Sequence, residues 1–241
     1  MCLVLASRIA FLFDVKIMQK TCYFCGQPKT SLEHALPKCI FPAQKDANNK
    51  DHRKNLIKVP SCDIHNTEKS EDDEYLMMVL ALYFQNNQVA SNQIKTKITR
   101  AWKKTPNKAI KLLKNFRSVD IDGKKLFTFE LDTHRFQQCL ELTAHALYFH
   151  NYGIRIIEPY KLISAPMFEI NVDEVPLEVN KARISVLKMA SELFQDAPRL
   201  GENQEVFWYQ LTPELDGRYV VRMCFYEAFP VVLMASSSLN S

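Results

Sequence analysis

Two short pairs of metal-type residues constrain this chain more than any other feature. Cys22 and Cys25 stand two residues apart, and so do Cys62 and His65. A C-x-x-C loop puts two soft ligands on the same side of a tight turn. A second pair, arriving later in the chain, completes four ligands around one tetrahedral Zn²⁺. Gly26, directly after the first pair, relieves backbone strain at that turn. Two free cysteines and a surface histidine would explain each pair alone, but not both ends together. The other cysteines, at positions 2, 39, 139 and 224, are scattered, and the full set of seven is odd, which argues against a secreted disulfide framework. Cys39 is a spare thiol that could compete as a ligand, but it has no partner at short spacing.

Such a staple has a purpose. A segment of about fifty residues cannot bury enough apolar surface to hold a precise geometry by itself. The metal would tie the beginning of the segment to its terminal helix.

Between the two pairs lie Glu33-His34 and Asn55, and Asn66 directly follows the second. Each has an ordinary explanation: a surface pair, a turn residue, a residue at a helix start. Together, in order, in a zinc frame, they also form a set suited to phosphodiester hydrolysis. That reaction needs an activated water, and positive charge on the leaving oxygen and the phosphate. A neutral imidazole is a competent base near neutral pH. Glu and Asn offer hard oxygens, which suit Mg²⁺ or Mn²⁺.

The runs CYFCG, SLEHALPKCIF and KNLIKVPSCDIHNTEKS resemble the HNH (His-Me finger, zinc-stapled treble-clef) endonucleases. The resemblance covers roughly residues 20–72. It implies His34 as the general base and Asn55 as the residue that holds the loop and orients His34. It implies Glu33 and Asn66 as ligands to a catalytic Mg²⁺ or Mn²⁺, with Cys22, Cys25, Cys62 and His65 on a structural Zn²⁺. Lys69 would touch phosphate. The chain departs from the usual pattern in two places. Asn66 stands where many members have His, giving an HNN form, and His65 replaces a fourth Cys. Both are chemically acceptable. The implied activity is that of an endonuclease acting on nucleic acid, DNA in the first instance, in a setting such as bacterial or phage defence or mobile DNA.

Beyond the module, residues 71–86 read as a helix, with Ser70 as N-cap, Asp73 closing a capping box and acidic residues in the first turn. Residues 88–117 are basic and contain no acidic side chain. Lys97, Arg100, Lys104, Lys108 and Lys111 step by three or four. They would share a helical face suited to phosphates if Pro106 permits; a solvated charged face is the plainer reading. Trp102 could stack on a base, though an aromatic at helical spacing is more often core. The net charge of +4 permits a polyanionic partner without demanding one.

Asp122-Gly123 suits a type I′ hairpin turn between two strands. Residues 132–151 read as an amphipathic helix ending before Gly153, and a further helix is expected at about 177–195. EVFWYQLT, RYVVRMCFY and PVVLMA read as strands. His134, His145 and His150 fall on one helix without cysteine or carboxylate partners at ligand spacing, so they read as ordinary helix residues.

The resulting expectation is an α+β protein: an N-terminal ββα-metal module, then a helical segment, then an α+β C-terminal region. The divisions fall at 1–17, 18–72, 73–117 and 118–241. Residues 1–17 are either an extension upstream of Met18 or a short element packing on the core. That stretch is too short to span a membrane and lacks the parts of a signal peptide. No other stretch could span one, and a cytoplasmic protein is expected. Two other classes compete with the nuclease. One is a zinc module that grips nucleic acid without cutting; the other is an effector whose 118–241 region docks a protein partner. Pure binding needs none of the Glu33, His34, Asn55 and Asn66 set.

Overall fold

The computed structural model describes residues 20–67, 70–83, 85–121, 123–165 and 177–235. The 1–17 stretch and Lys69 lie outside them. The fold is α+β. The first unit is a short antiparallel ribbon of β1 (Ser31–His34) and β2 (Lys58–Ser61), followed at once by helix α1 (Asp63–Thr67). Pairing runs on past His34, since the Ala35 N–H donates to the Ile57 carbonyl at 2.9 Å. Helix α2 (Ser70–Ala81) carries Glu71, Asp72 and Asp73 in its first turn, where a helix dipole favours them.

The basic stretch is not one helix. It is divided into α3 (Gln88–Gln93), a π turn (Ile94–Ile98), α4 (Thr99–Lys104) and α5 (Pro106–Leu112). Asn87 caps α3, its side-chain oxygen accepting from the N–H groups of Val89 and Ala90. Pro106 opens α5, the position that tolerates its missing N–H. The π turn and this break divide the row of basic positions that a continuous helix would have aligned.

A hairpin follows, β3 (Arg117–Ile121) and β4 (Lys124–Thr128), with Gly123 between them at φ +75°; Asp122 lies outside the described residues. Helix α6 (Thr133–Tyr152) is the central element. Asp132 caps its start by accepting from the Arg135 N–H at 3.0 Å. Gly153, at φ 68°, ends it. It buries Phe136, Leu140, Ala144, Leu147 and Tyr148, and packs on α2 and β2 to one side and on the last sheet to the other.

That sheet is antiparallel, ordered β5 (Tyr160–Ser164), β8 (Phe229–Ala235), β7 (Tyr219–Phe225), β6 (Phe207–Leu211). Helix α7 (Leu177–Leu193) lies against β5 and β8. One apolar cluster runs from Cys22 through α2 and α6 to Ala235, so the stapled segment shares its core with the C-terminal sheet. Among the described residues no helix is long and apolar enough to cross a membrane.

The turn between β7 and β8 holds Tyr226 and Glu227 at φ 48° and 61°. The left-handed region is costly for non-glycine residues, about 1 kcal/mol or more each. Tyr226 is fully buried, donates its hydroxyl to the Ile40 carbonyl at 2.7 Å and accepts from Gln93 Nε2 at 3.1 Å. These contacts offset the strain and fix the end of the sheet to the turn Lys38–Ile40 just after β1.

Candidate metal and catalytic sites

The first site is built by two local turns. Cys22 and Cys25 flank a tight loop closed by bonds from the Cys22 N–H to the Gln27 carbonyl (2.7 Å) and from the Gly26 N–H to the Cys22 carbonyl (3.1 Å). Gly26 sits at φ +75°, a backbone conformation that favours glycine; a Cβ there would stand 3.1 Å from the Arg155 guanidinium, the flexible end of a long side chain. The Tyr23 N–H donates to the Pro60 carbonyl at 2.9 Å, which binds this knuckle to β2. Cys62 directly follows β2, and His65 lies in the first turn of α1.

The four ligand atoms lie within 4.8 Å of one another. Cys25 Sγ to Cys62 Sγ is 3.7 Å, Cys62 Sγ to His65 Nδ1 is 3.2 Å, and Cys22 Sγ to His65 Nδ1 is 3.8 Å. A tetrahedral Zn²⁺ with the usual bond lengths requires S–S edges of about 3.8 Å and S–N edges of about 3.6 Å. The cluster therefore fits zinc in both donor type and spacing. Burial raises the Cys22 thiol pKa, but backbone N–H groups of Cys25, Phe24 and Cys62 outweigh it and lower the net value, as a thiolate ligand needs. Phe24 packs against the His65 ring at 4.8 Å between centroids and against His145 at 4.7 Å, which ties the cluster to α6. Among the described residues this is the one group of three or more metal-type side chains so gathered. Cys39 stands apart from it. Its thiol donates to the Asp73 carbonyl, and burial pushes its pKa up to about 12.

The second site is an open cleft of about 390 Å³ beside β1. Glu33, His34 and Asn66 all line it, with Leu32, Pro37, Lys38, Cys39, Asp73, Glu74 and Lys97. Glu33 is only 7% exposed, and its Oε2 accepts the Ser61 hydroxyl at 3.0 Å. Asn66 Nδ2 donates to the Ser31 hydroxyl at 2.7 Å. His34 Nδ1 is buried without a hydrogen-bond partner among the described residues. Burial first, then the charges of Lys58 and Lys38, hold the His34 pKa below the usual imidazole value, against an opposing pull from Glu33.

Asn55 is placed differently. It occupies a turn at φ 51°, and its amide donates to both carboxylate oxygens of Glu202 at 2.8 Å. Its side-chain bonds thus run to the C-terminal region rather than toward His34. The same region holds the rest of that loop. Glu205 pairs with Lys50 and lies 3.2 Å from His52 Nδ1, and Asn203 Nδ2 donates to the Lys54 carbonyl.

The basic positions have separate fates. Lys97 enters the cleft, where Nζ donates to the Cys39 carbonyl at 2.8 Å. Arg100 makes a bidentate pair with Asp46 at 3.0 and 2.9 Å. Lys104 is exposed, and the Lys108 side chain is outside what is described. Trp102 is half-buried against Phe116 at 5.0 Å, a packing role. Glu202 and Glu205 carry no sequence signal of their own. They stand far along the chain from the Asn55 loop they hold, and only folding brings them there.

No protein-family profile, curated protein or solved structure matches this chain.

Proposed function

We propose that the stapled module is an HNH-type, metal-dependent endonuclease of the HNN form, and that its substrate is nucleic acid, DNA first. The observation that carries this reading is the cleft that Glu33, His34 and Asn66 line together. The order of β1, β2 and α1, with the acid–histidine pair at the end of β1 and Asn66 on α1, suits the ββα-metal arrangement. The Cys22, Cys25, Cys62 and His65 cluster would hold a structural Zn²⁺ that clamps α1 to the knuckle.

In the reaction, an imidazole nitrogen of His34 takes a proton from a water held in the cleft. The water oxygen forms a bond to phosphorus, the bond from phosphorus to the leaving oxygen breaks, and that oxygen is protonated from solvent. Glu33 and Asn66 Oδ1 would hold one Mg²⁺ or Mn²⁺, which when bound supplies positive charge to the phosphate and the leaving oxygen. Ser61 and Ser31 fix the orientation of these two ligands through their hydroxyls. Asn55 contributes by holding its loop against Glu202. Lys69, Lys97, Lys104 and Lys108 would bear on phosphates, whereas Arg100 already satisfies Asp46.

The test is cleavage of supercoiled plasmid, with an RNA transcript in parallel, in Mg²⁺ or Mn²⁺. Cleavage should stop on chelation of the divalent ion and in Glu33→Gln and Asn66→Ala, while both variants keep about one zinc per chain. Cleavage unchanged in both variants would remove the proposed ligands and the reading with them.

A further inference from the structure

The cleft contains one partly buried cation that does not come from the β1–β2–α1 unit. Lys97 arrives from the π turn Ile94–Ile98. One extra residue in such a turn shifts every later side chain around the helix axis, and π turns are frequent at functional sites. Its hydrogen bond to the Cys39 carbonyl does not explain a charge at this position. That carbonyl also accepts from Gln93 Nε2 at 3.3 Å, so a neutral amide already serves it. An ammonium has three donors, and the bond to Cys39 uses one. Burying the lysine stem costs solvation of the charged form and lowers its pKa; Glu74 and Asp46 favour the charge while Arg53 opposes it.

Charge balance points the same way. Glu33, Asp73 and Glu74 against Lys38 and Lys97 leave the lining formally one charge negative, which would repel a phosphodiester. A divalent cation held by Glu33 and Asn66 would turn it one charge positive, and that surplus vanishes if Lys97 is neutral.

We infer that Lys97 donates to a non-bridging oxygen of the scissile phosphate and neutralises the charge that grows there during attack. It is thereby a catalytic residue rather than a contact to the flanking backbone. This rests on the nuclease reading above. Lys97 forms and breaks no covalent bond and keeps its proton throughout. Its donor is fixed by the Cys39 carbonyl before substrate arrives, so it stabilises the transition state without reorganising.

The experiment compares steady-state cleavage of a fluorescent duplex in Mn²⁺ by the full chain and its Lys97→Met, Lys97→Arg and Lys104→Met variants. Melting temperature and zinc content are measured for each. Lys97→Met should lower kcat about 100-fold, with KM changed less than about threefold, the signature of a lost transition-state donor. Lys97→Arg should recover most of the loss, and Lys104→Met should change KM alone. Wild-type kcat in Lys97→Met overturns the inference while leaving the nuclease standing. So does a loss that arginine does not rescue and that follows a lowered melting temperature, because that describes a purely structural lysine. A wild-type chain that cuts nothing overturns the nuclease reading, and the role of Lys97 falls with it.

Discussion

Replacing Cys25 by serine separates the contribution of the metal from that of the core. Cys22 and Cys62 are buried, and truncating either leaves a void as well as a missing ligand, whereas Cys25 is exposed and packs against little. The metal joins two turns across the segment between Cys25 and Cys62. Treated as a cross-link closing a loop of about 40 residues, it removes enough unfolded-chain entropy to stabilise the fold by about 4 kcal/mol. For a chain of this size each kcal/mol moves the melting temperature by about 2–4 °C. Cys25→Ser in the presence of a chelator should therefore melt about 10 °C below the untreated wild type. Chelator-treated wild type should melt at the same temperature as the variant. Scanning fluorimetry gives the melting temperatures, and a metallochromic indicator counts zinc released on denaturation, expected near one per chain. A wild-type chain that releases no zinc, or a variant melting within about 1 °C of it, would refute the staple.

Three further outcomes follow from buried or strained groups. His145 is enclosed by Phe24 and Tyr160, and neither of its nitrogens has a hydrogen-bond partner among the described residues; burial lowers its pKa to about 4. The unfolded chain, at about 6.5, binds that proton first, so stability is full above pH 6.5 and falls by about 3 kcal/mol as the pH drops to 4. His145→Leu should flatten that part of a pH series of urea midpoints; an unchanged slope would contradict the assignment. Asn55 needs a left-handed backbone, so Asn55→Ala should cost about 1–2 kcal/mol and Asn55→Gly clearly less, read by urea unfolding; equal losses would mean that only the Glu202 contact matters. Tyr226→Phe deletes the donor to the Ile40 carbonyl and should cost about 1–3 kcal/mol on the same assay, and a change below about 0.5 would show that bond to be dispensable.

The parts of this protein that are legible in the sequence are those fixed by local rules. Two-residue ligand spacing locates Cys22, Cys25, Cys62 and His65, and the fold gathers their four ligand atoms within 4.8 Å of one another. Gly153 marks the end of α6 through cap chemistry, and the hairpin expected around Gly123 is present as β3 and β4. Runs rich in aromatic and β-branched residues point to β6, β7 and β8. Strand β5 gives no comparable signal, because YKLIS is short and only half-buried.

The basic stretch reads as a stripe only if a 3.6-residue period runs through all of it. A π turn breaks that period at Ile94–Ile98, so Lys97 faces the cleft while Arg100 reaches Asp46. Nor can spacing place Glu202 and Glu205 beside the Asn55 loop, since those partners stand 147 or more positions away along the chain. Through these two carboxylates the C-terminal region holds the loop between β1 and β2 in place.

The most direct measurement on the proposed nuclease is the nicking rate of supercoiled plasmid by wild type and His34→Ala, at matched concentration in Mn²⁺. The substitution spares all four cysteine and histidine ligands of the cluster, and retained zinc and melting temperature show that the module is intact. Loss of a general base is expected to slow cleavage by about 100- to 10,000-fold. Equal nicking by the two proteins would contradict the assignment of His34, and with it the claim that this cleft cuts nucleic acid.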